Sequence, residues 1–539
     1  MKSVLSFLII LLVSPFTFAD EQLSLEQKTA DIDQVVSLVK SSYGPRDYKK
    51  SQLGINVDQL REKYVSLLPG TTNREFYYLV LRLIAEFRDS HFGARVPSTH
   101  KAALNFTTEW VDGKILIDTV ERKLSPLGKL DFERGDEVLA IDGRPAQEVA
   151  QELALQRGAG FEQTSKHIGA RLLTARRAFF VPVPTGKAQV TIRRGTSDII
   201  ETVELAWAEE GEPLDEAPKP GQQGVPLGPR FGHRRTLKDF SISIRDIMEE
   251  LTPNMEQSYQ CSGATRVAIP KDATVLMMDP FVAYFHPTEK GNIGYLRIPH
   301  YSPEDEKGNE LYEERFRQYE WAVAKLEENT VGLIIDQDHN CGGSVDFLER
   351  MSGLFLRADY FPLQFQFLAS KNEYLDFKGW LDSEPKNTLT REFFAETVDL
   401  VKKHWLLGDF LTPKTSFLGT HSLKPHPRGY TKPIVMLIDE MSGSGGDAFP
   451  AMLQGNGRAK LLGTRTMGAG GHVVELPPLN NSGIQLRMTK SLFYRPDGVA
   501  VENNGASPDF PYTITRDDFV YKYKNYQKFY LQKLLELIP

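Results

Sequence analysis

The chain has 539 residues, more than a single domain usually holds. With 41% hydrophobic and 25% charged residues, it has the makeup of a globular protein and not of a disordered or fibrous one. Its formal net charge of -7 argues against general affinity for nucleic acid, which needs a basic surface.

The N-terminus carries Lys2, an apolar run from Val4 to Val13, and small residues around Thr17-Phe18-Ala19 before Asp20. This is the pattern of a cleaved secretory signal over residues 1–19, which predicts a periplasmic or secreted protein. The run is too short for a membrane anchor, no Cys near the cleavage point suits a lipid anchor, and no later stretch is apolar enough to span a bilayer. The expected mature chain therefore keeps no stable membrane span. Its two cysteines, Cys261 and Cys341, permit one disulfide in an oxidising compartment without implying it. Neither has the spacing of a zinc site.

Residues 20–103 read as helical. Leu25 to Lys40 and Asn73 to Phe87 repeat apolar residues at three- and four-residue spacing, and the second run is followed by Asp89-Ser90-His91. Residues 104–206 read as a β-rich module, with a strand at Ile115–Ile117, a turn–strand–turn from Gly135 to Gly143, a short helix from Glu148 and a strand from Ala188 to Arg194. The phrase FERGDEVLAIDGRP, the helix after it and the closing VTIRR resemble a PDZ domain, a module that adds an extended peptide to a sheet edge. Residues 207–290 read as a linker or insertion. Glu209 to Gly232 is rich in Pro, Gly and charge, and 240–290 is ambiguous. From 291 to 539 strands alternate with helices, which predicts an α/β domain with a partly parallel sheet. Buried-type strands end at Ile335-Asp336 and at Ile438, and Asp517 to Leu537 reads as a packed helix.

Two turns after buried strands carry chemistry. Asp439-Glu440-Met441-Ser442-Gly443-Ser444-Gly445-Gly446-Asp447 runs from a strand through small residues into a helix. Such a turn exposes Ser444 above the sheet, with N–H groups at a helix N-terminus beside it. It also fits a plain Gly/Ser turn in which Ser442 or Ser444 caps the helix. Asn340-Cys341-Gly342-Gly343 forms the second turn, able to aim another backbone N–H at the same point or simply to pack strand against helix. A Ser nucleophile needs a base, and of the 11 His residues His91 stands out for its place after Ser90 at a helix end. Asp336, Asp338 and His339 lie close together but fit no common zinc signature.

Asp-Ser-His after the helical region, the PDZ-like module, GNIGYLRI, IDQDHNCGG, SGSGGDAFPAMLQ, GRAKLLGTRTMGAGG and VENNGASPD occur in the order found in peptidase family S41, which includes C-terminal processing proteases and the tricorn core protease. The chain resembles that family along most of its length. The resemblance implies a multidomain α/β protein: an N-terminal helical region supplying a catalytic His, a PDZ-like domain, and a C-terminal catalytic domain of the ClpP/crotonase-like kind. The processing-type Ser–Lys pair is missing, because the expected Lys position is Ala469 in Gly468-Ala469-Gly470; Lys460 is the nearest other lysine and reads as a surface charge. The tricorn-like set is present instead, as Ser444, His91, Ser90 and Glu502. On this resemblance His91 serves Ser444 as base, Glu502 polarises the system through the Ser90 hydroxyl, and the N–H groups of Gly445 and Gly342, or Gly343 in its place, form the oxyanion hole. It implies peptide or protein substrates, with no cofactor and no metal, and leaves an oligomer open. Two alternatives are a catalytically inactive binding protein of the same fold and an acyl hydrolase. The missing G-x-S-x-G elbow and the peptide-suited PDZ-like module speak against the second.

Overall fold

The structure is a computed structural model that describes residues 22–120, 132–195, 197–214, 265–303, 311–383, 389–416 and 424–539. The expected leader at 1–19, Cys261 and most of the Pro/Gly-rich stretch lie outside these residues.

Four helices come first among the described residues: α1 (Leu25–Ser42), α2 (Arg46–Leu53), α3 (Val57–Ser66) and α4 (Asn73–Ala85). Each long one starts where a hydroxyl can satisfy free N–H groups. Ser24 with Gln27 opens α1, and Thr72 with Glu75 opens α4, both as reciprocal capping pairs. Phe76, Val80, Leu83 and Ile84 form the buried stripe of α4 against Ile32, Val36 and Val39 of α1. Each such side chain contributes about 1.5–3 kcal/mol by leaving water. The chain then turns at Asp89 into the short strand β1 (Gly93–Arg95).

The next unit is an antiparallel sheet in simple order, β2 (Phe106–Val111), β3 (Lys114–Val120), β4 (Glu137–Ile141), β5 (Lys187–Arg193) and β6 (Ile200–Ala206). Between β4 and β5 lie α5 (Ala146–Ala154) and α6 (Glu162–Thr174), which cover the sheet through Val149, Leu153, Ile168 and Leu172.

The C-terminal half is built on a seven-stranded sheet. In chain order its parts are β7 (Thr274–Met277), β8 (Ala283–Thr288), β9 (Gly291–Arg297), α7 (Tyr312–Asn329), β10 (Gly332–Asp336), α8 (Val345–Ser352), α9 (Lys371–Ser383), α10 (Leu389–Leu407), β11 (Ile434–Ile438), α11 (Gly445–Gly455) and β12 (Lys460–Gly463). After β12 come β13 (Val473–Leu476), β14 (Gln485–Thr489), β15 (Phe510–Pro511) and α12 (Lys524–Leu537). The sheet order is β7-β8-β9-β10-β11-β12-β15, antiparallel up to β9 and parallel beyond it. Residues 274–288, ambiguous in sequence, are thus strands of this sheet. Alternation decides its two faces. Leu333, Ile335, Ile434, Met436 and Ile438 pack on α7, α8 and α11, while Ile334, Val435 and Leu437 pack on Tyr526, Tyr530 and Leu534 of α12. The outlying pair β13 and β14 joins β1 in a separate sheet, order β1-β14-β13, which binds the helical region to the C-terminal half.

Candidate active site

Strands β10 and β11 are parallel neighbours, so their carboxyl ends open side by side. This is where ligands bind in open α/β sheets. From β11 the chain passes Asp439 to Gly443 and enters α11 at Ser444. Ser444 has φ 58° and ψ -112°, a strained conformation for a residue with a side chain. It is half-exposed, and the other serine of the turn is not: Ser442 is buried and donates to the Gln337 carbonyl at 2.8 Å and to Asp439 at 2.9 Å. Ser442 is therefore structural, leaving Ser444 as the free hydroxyl. The Ser444 N–H is held at 2.8 Å by the buried carboxylate of Asp447, one turn into the helix.

The 340–343 turn locks into this one. Gly443 N–H donates to the Asn340 carbonyl at 3.0 Å, and Tyr301 N–H to that of Gly342 at 2.6 Å. A Cβ on Gly342 would lie 2.7 Å from Ser444 Cβ and 2.9 Å from Gly445 N, and Gly342 has φ 76°, so a side chain is excluded twice over. Gly342 was expected to supply an oxyanion donor, but its N–H is taken by Asn340 Oδ1 at 2.8 Å. Gly445, which opens α11 and has no intrahelical acceptor, and Gly343 are the donors that remain.

His91 is buried, and neither ring nitrogen makes a hydrogen bond among the described residues. The backbone around it is fixed by Asp89, whose Oδ1 accepts from His91 N–H at 2.8 Å and Phe92 N–H at 3.2 Å. Asp89 Oδ2 accepts from Tyr43 at 2.8 Å and Thr489 at 2.9 Å. Burial holds the imidazole down to about 4, helped by the Arg487 guanidinium and opposed by Asp89 and the facing Gly470 backbone. The Ser90 hydroxyl is also buried and has no hydrogen-bond partner among the described residues.

Glu502 does not reach Ser90. Its carboxylate forms a buried ion pair with Lys49 of α2 and accepts from Gly470 N–H at 3.0 Å. Lys49 also donates to Asn503 Oδ1 at 2.6 Å and to the Arg88 carbonyl at 3.1 Å. Burial, with Asp89 nearby, raises Glu502 to about 8 against the pull of Lys49. The loop Gly468–Gly471 ties the parts together. Gly468 and Ala469 donate to Asp447 at 2.7 and 2.9 Å, Gly470 donates to Glu502, and the Gly470 backbone faces His91. Ala469, at the position of the processing-type lysine, is wholly buried, and Lys460 pairs with Asp509 at 2.9 Å on the surface.

The β-rich unit lies directly on these turns. Cys341, Met441, Met467 and Ala469 belong to the same apolar cluster as Ile117, Leu153 and Ile168. Beside them His167 of α6 bridges Glu109 of β2 and Glu440, four residues before Ser444, while Arg171 holds Glu109 at 2.7 Å. The two carboxylates raise His167 to about 9 despite burial. Under the turns, Arg266 joins Asp338 at 3.3 Å and Asp439 at 3.1 Å, and Asp439 also pairs with His339. Asp336, Asp338 and His339 are thus committed to protein partners, and among the described residues no His/Cys/Asp/Glu group is arranged to hold a metal. Nor is any described helix long and apolar enough to cross a membrane.

Asp89 and Asp447 appear in sequence only as members of the Asp89-Ser90-His91 and Asp439 to Asp447 motifs, without roles of their own, and Lys49 and His167 do not stand out at all. Asp447, at the third position of a helix opened by Ser, carries a capping signal. Lys49 and His167 meet partners hundreds of residues away and carry none.

A Ser on a strained strand-to-helix turn, with a buried His and a buried Glu on the segments packed around it, supplies the types of group that serine-type hydrolysis requires. Residues 292–512 match peptidase family S41 and residues 100–216 match a PDZ domain. A Chlamydia trachomatis protein is 28% identical over 573 residues, covering 96% of this chain and 93% of its own. A carboxy-terminal-processing protease of Bartonella bacilliformis is 35% identical over 95 residues, 18% of this chain and 21% of that one. Among solved structures, mature CPAF complexed with lactacystin superposes with a TM-score of 0.76 at 25% identity, covering 95% of this chain and 99% of the other. Residues 292–512 thus form a serine-type peptidase domain of family S41, and residues 100–216 a PDZ domain.

Proposed function

We propose that this is an exported peptidase in which Ser444 is the nucleophile and His91 its base, with Glu502 as a positioning residue. His91 takes the Ser444 proton as Oγ attacks the scissile carbonyl, and the N–H groups of Gly445 and Gly343 receive the charge on oxygen. Collapse expels the amine, which takes the proton from His91; water repeats the sequence and frees the acid. Substrate binding brings Ser444 and His91 into contact, since they share no hydrogen bond in the free chain. Glu502 acts through Gly470 and Lys49. The PDZ domain recruits or gates peptides, a reading supported by its packing against Met441 and Glu440. Export is supported by the leader pattern in residues 1–19.

The observation that carries this reading is the strained Ser444 turn interlocked with the Gly342 turn. Labelling the mature protein with a fluorophosphonate, read by intact mass, tests it. One adduct on Ser444 is expected, lost in Ser444→Ala and His91→Ala and kept in Lys460→Ala. Peptidase activity should fall about 10⁴-fold or more in the first two variants. A folded protein that takes no label and cuts no peptide would instead be a binding protein of this fold.

A further inference from the structure

The β-rich unit carries a buried titratable group that the hydrolysis does not use. Thr164, His167 and Arg171 share one face of α6, and each reaches across to another element. Thr164 Oγ1 donates to the Glu440 carbonyl at 2.7 Å. His167 Nε2 meets Glu440 Oε1 at 2.5 Å, and its Nδ1 meets Glu109 of β2. Arg171 holds Glu109 Oε2 from two nitrogens, at 2.7 and 2.9 Å. Glu440 is thus gripped from α6 by its backbone and by its side chain. On its other side Thr464 accepts the Glu440 N–H at 3.2 Å and donates to its carboxylate. The neighbouring Asp439 is the hub of the Ser444 turn. Its Oδ1 accepts from His339 N–H at 2.9 Å, from Ser442 Oγ at 2.9 Å and from Met441 N–H at 3.2 Å. A shift of Glu440 is therefore passed to the residues that set Ser444.

The bridge needs its proton. An imidazolium donates from both ring nitrogens, whereas a neutral imidazole donates from one and turns a lone pair toward the second carboxylate. In a buried site that mismatch is unfavourable, and one contact opens. Glu440 is the side that opens, because Glu109 keeps both bonds from Arg171 while the Glu440 carboxylate keeps only a threonine hydroxyl. Burial opposes the charge on His167, but Glu440 and Glu109 outweigh it and hold the imidazole at about 9. Among the described residues, the other titratable groups acting here are Asp118 of β3, His339 and Tyr523 near Glu109, and Asp439 beside Glu440, with Arg266 acting on Asp118 and His339. Burial holds His339 down to about 4 and pushes Tyr523 up from its ordinary value, so neither changes charge where His167 does.

We propose that His167 is a positioning residue for catalysis: as an imidazolium it fixes Glu440, and with it the turn that presents Ser444, and losing the proton slackens that turn. This role rests on Ser444 as the nucleophile and goes beyond it by giving the PDZ domain a side chain that sets the rate.

The test is the rate of fluorophosphonate labelling of the full-length protein from pH 6 to pH 10, in the parent, His167→Gln and Glu440→Gln, with a thermal melt at each pH to confirm folding. His167→Gln should label about tenfold more slowly than the parent at pH 7. That ratio should shrink to about twofold at pH 10, where most of the parent has itself lost the bridging proton. A step from Glu502, raised by burial to about 8, occurs in both proteins and cancels in the ratio. Glu440→Gln keeps the imidazole but removes one of the two carboxylates that retain its proton, so its alkaline fall should begin about one pH unit or more lower. A role confined to folding would slow both variants without moving that fall. A ratio that stays constant from pH 6 to pH 10, or an unmoved fall in Glu440→Gln, overturns the proposal while a labelled parent leaves the peptidase reading intact. A folded parent that takes no label at any pH overturns the peptidase reading and this role with it.

Discussion

At the scale of single residues, the nucleophile turn works by exclusion. Gly342 has to be glycine on two independent grounds, its positive φ and the 2.7 Å gap to Ser444 Cβ. Gly342→Ala should therefore cost about 2–4 kcal/mol of stability and abolish labelling of Ser444, read by thermal melts beside intact mass. His91 makes a different prediction. A base held near 4 stays neutral through mildly acidic pH, so kcat/KM of the free enzyme should remain flat from pH 7 to pH 5 and fall only toward pH 4. Stability has the same sign. The unfolded imidazole takes its proton near 6.5, so the native state is fully favoured above that pH and loses up to about 3 kcal/mol as pH drops to 4. Urea melts at pH 7 and pH 5, compared between the parent and His91→Gln, would isolate that share. Ser444, Ser90 and His91 were legible in the sequence as residue types at a strand end and a helix end. Their contacts were not. The expected Glu502–Ser90 link is replaced by Lys49, a residue with only ordinary helical neighbours in sequence.

At the scale of elements, α6 and the strand end before Ser444 are joined by the Glu109–His167–Glu440 bridge. His167 has a folded value near 9, above the ordinary imidazole value of about 6.5. Its stabilisation is complete below pH 6.5 and disappears as pH rises through 9. His167→Ala leaves two buried carboxylates facing each other and should cost about 3–5 kcal/mol. The parent's Tm should fall between pH 7 and pH 9.5, and His167→Ala should flatten that fall. Periodicity revealed most of these elements: α4, β10, β11 and the helix after Gly446 follow from apolar spacing alone. Strands β7 and β8 escaped because Thr274–Met277 is an edge strand with exposed residues, and the pairing that makes it a strand lies outside the segment.

At the scale of the whole molecule, the α5–α6 loop acts as a wedge. A side chain on Gly158 would press on the Asp89 backbone at 3.1 Å, and one on Gly160 would meet Asn503 Nδ2 at 2.6 Å. The helical region, the PDZ domain and the catalytic domain therefore converge on the residues that support His91 and Glu502. No sequence pattern announces such a meeting point, because it depends on three distant segments arriving at one place.

The shared apolar cluster has a further consequence. Met441, Met467 and Ala469 share one buried cluster with Leu153 and Ile168, so the edge of the catalytic domain that carries the Ser444 turn completes its packing with side chains of the PDZ domain. The modules then cannot be inherited or exchanged like beads on a string. A PDZ domain borrowed from a relative would have to bring its half of that interior with it, and mutations on either side of the seam can be accepted only in matched pairs.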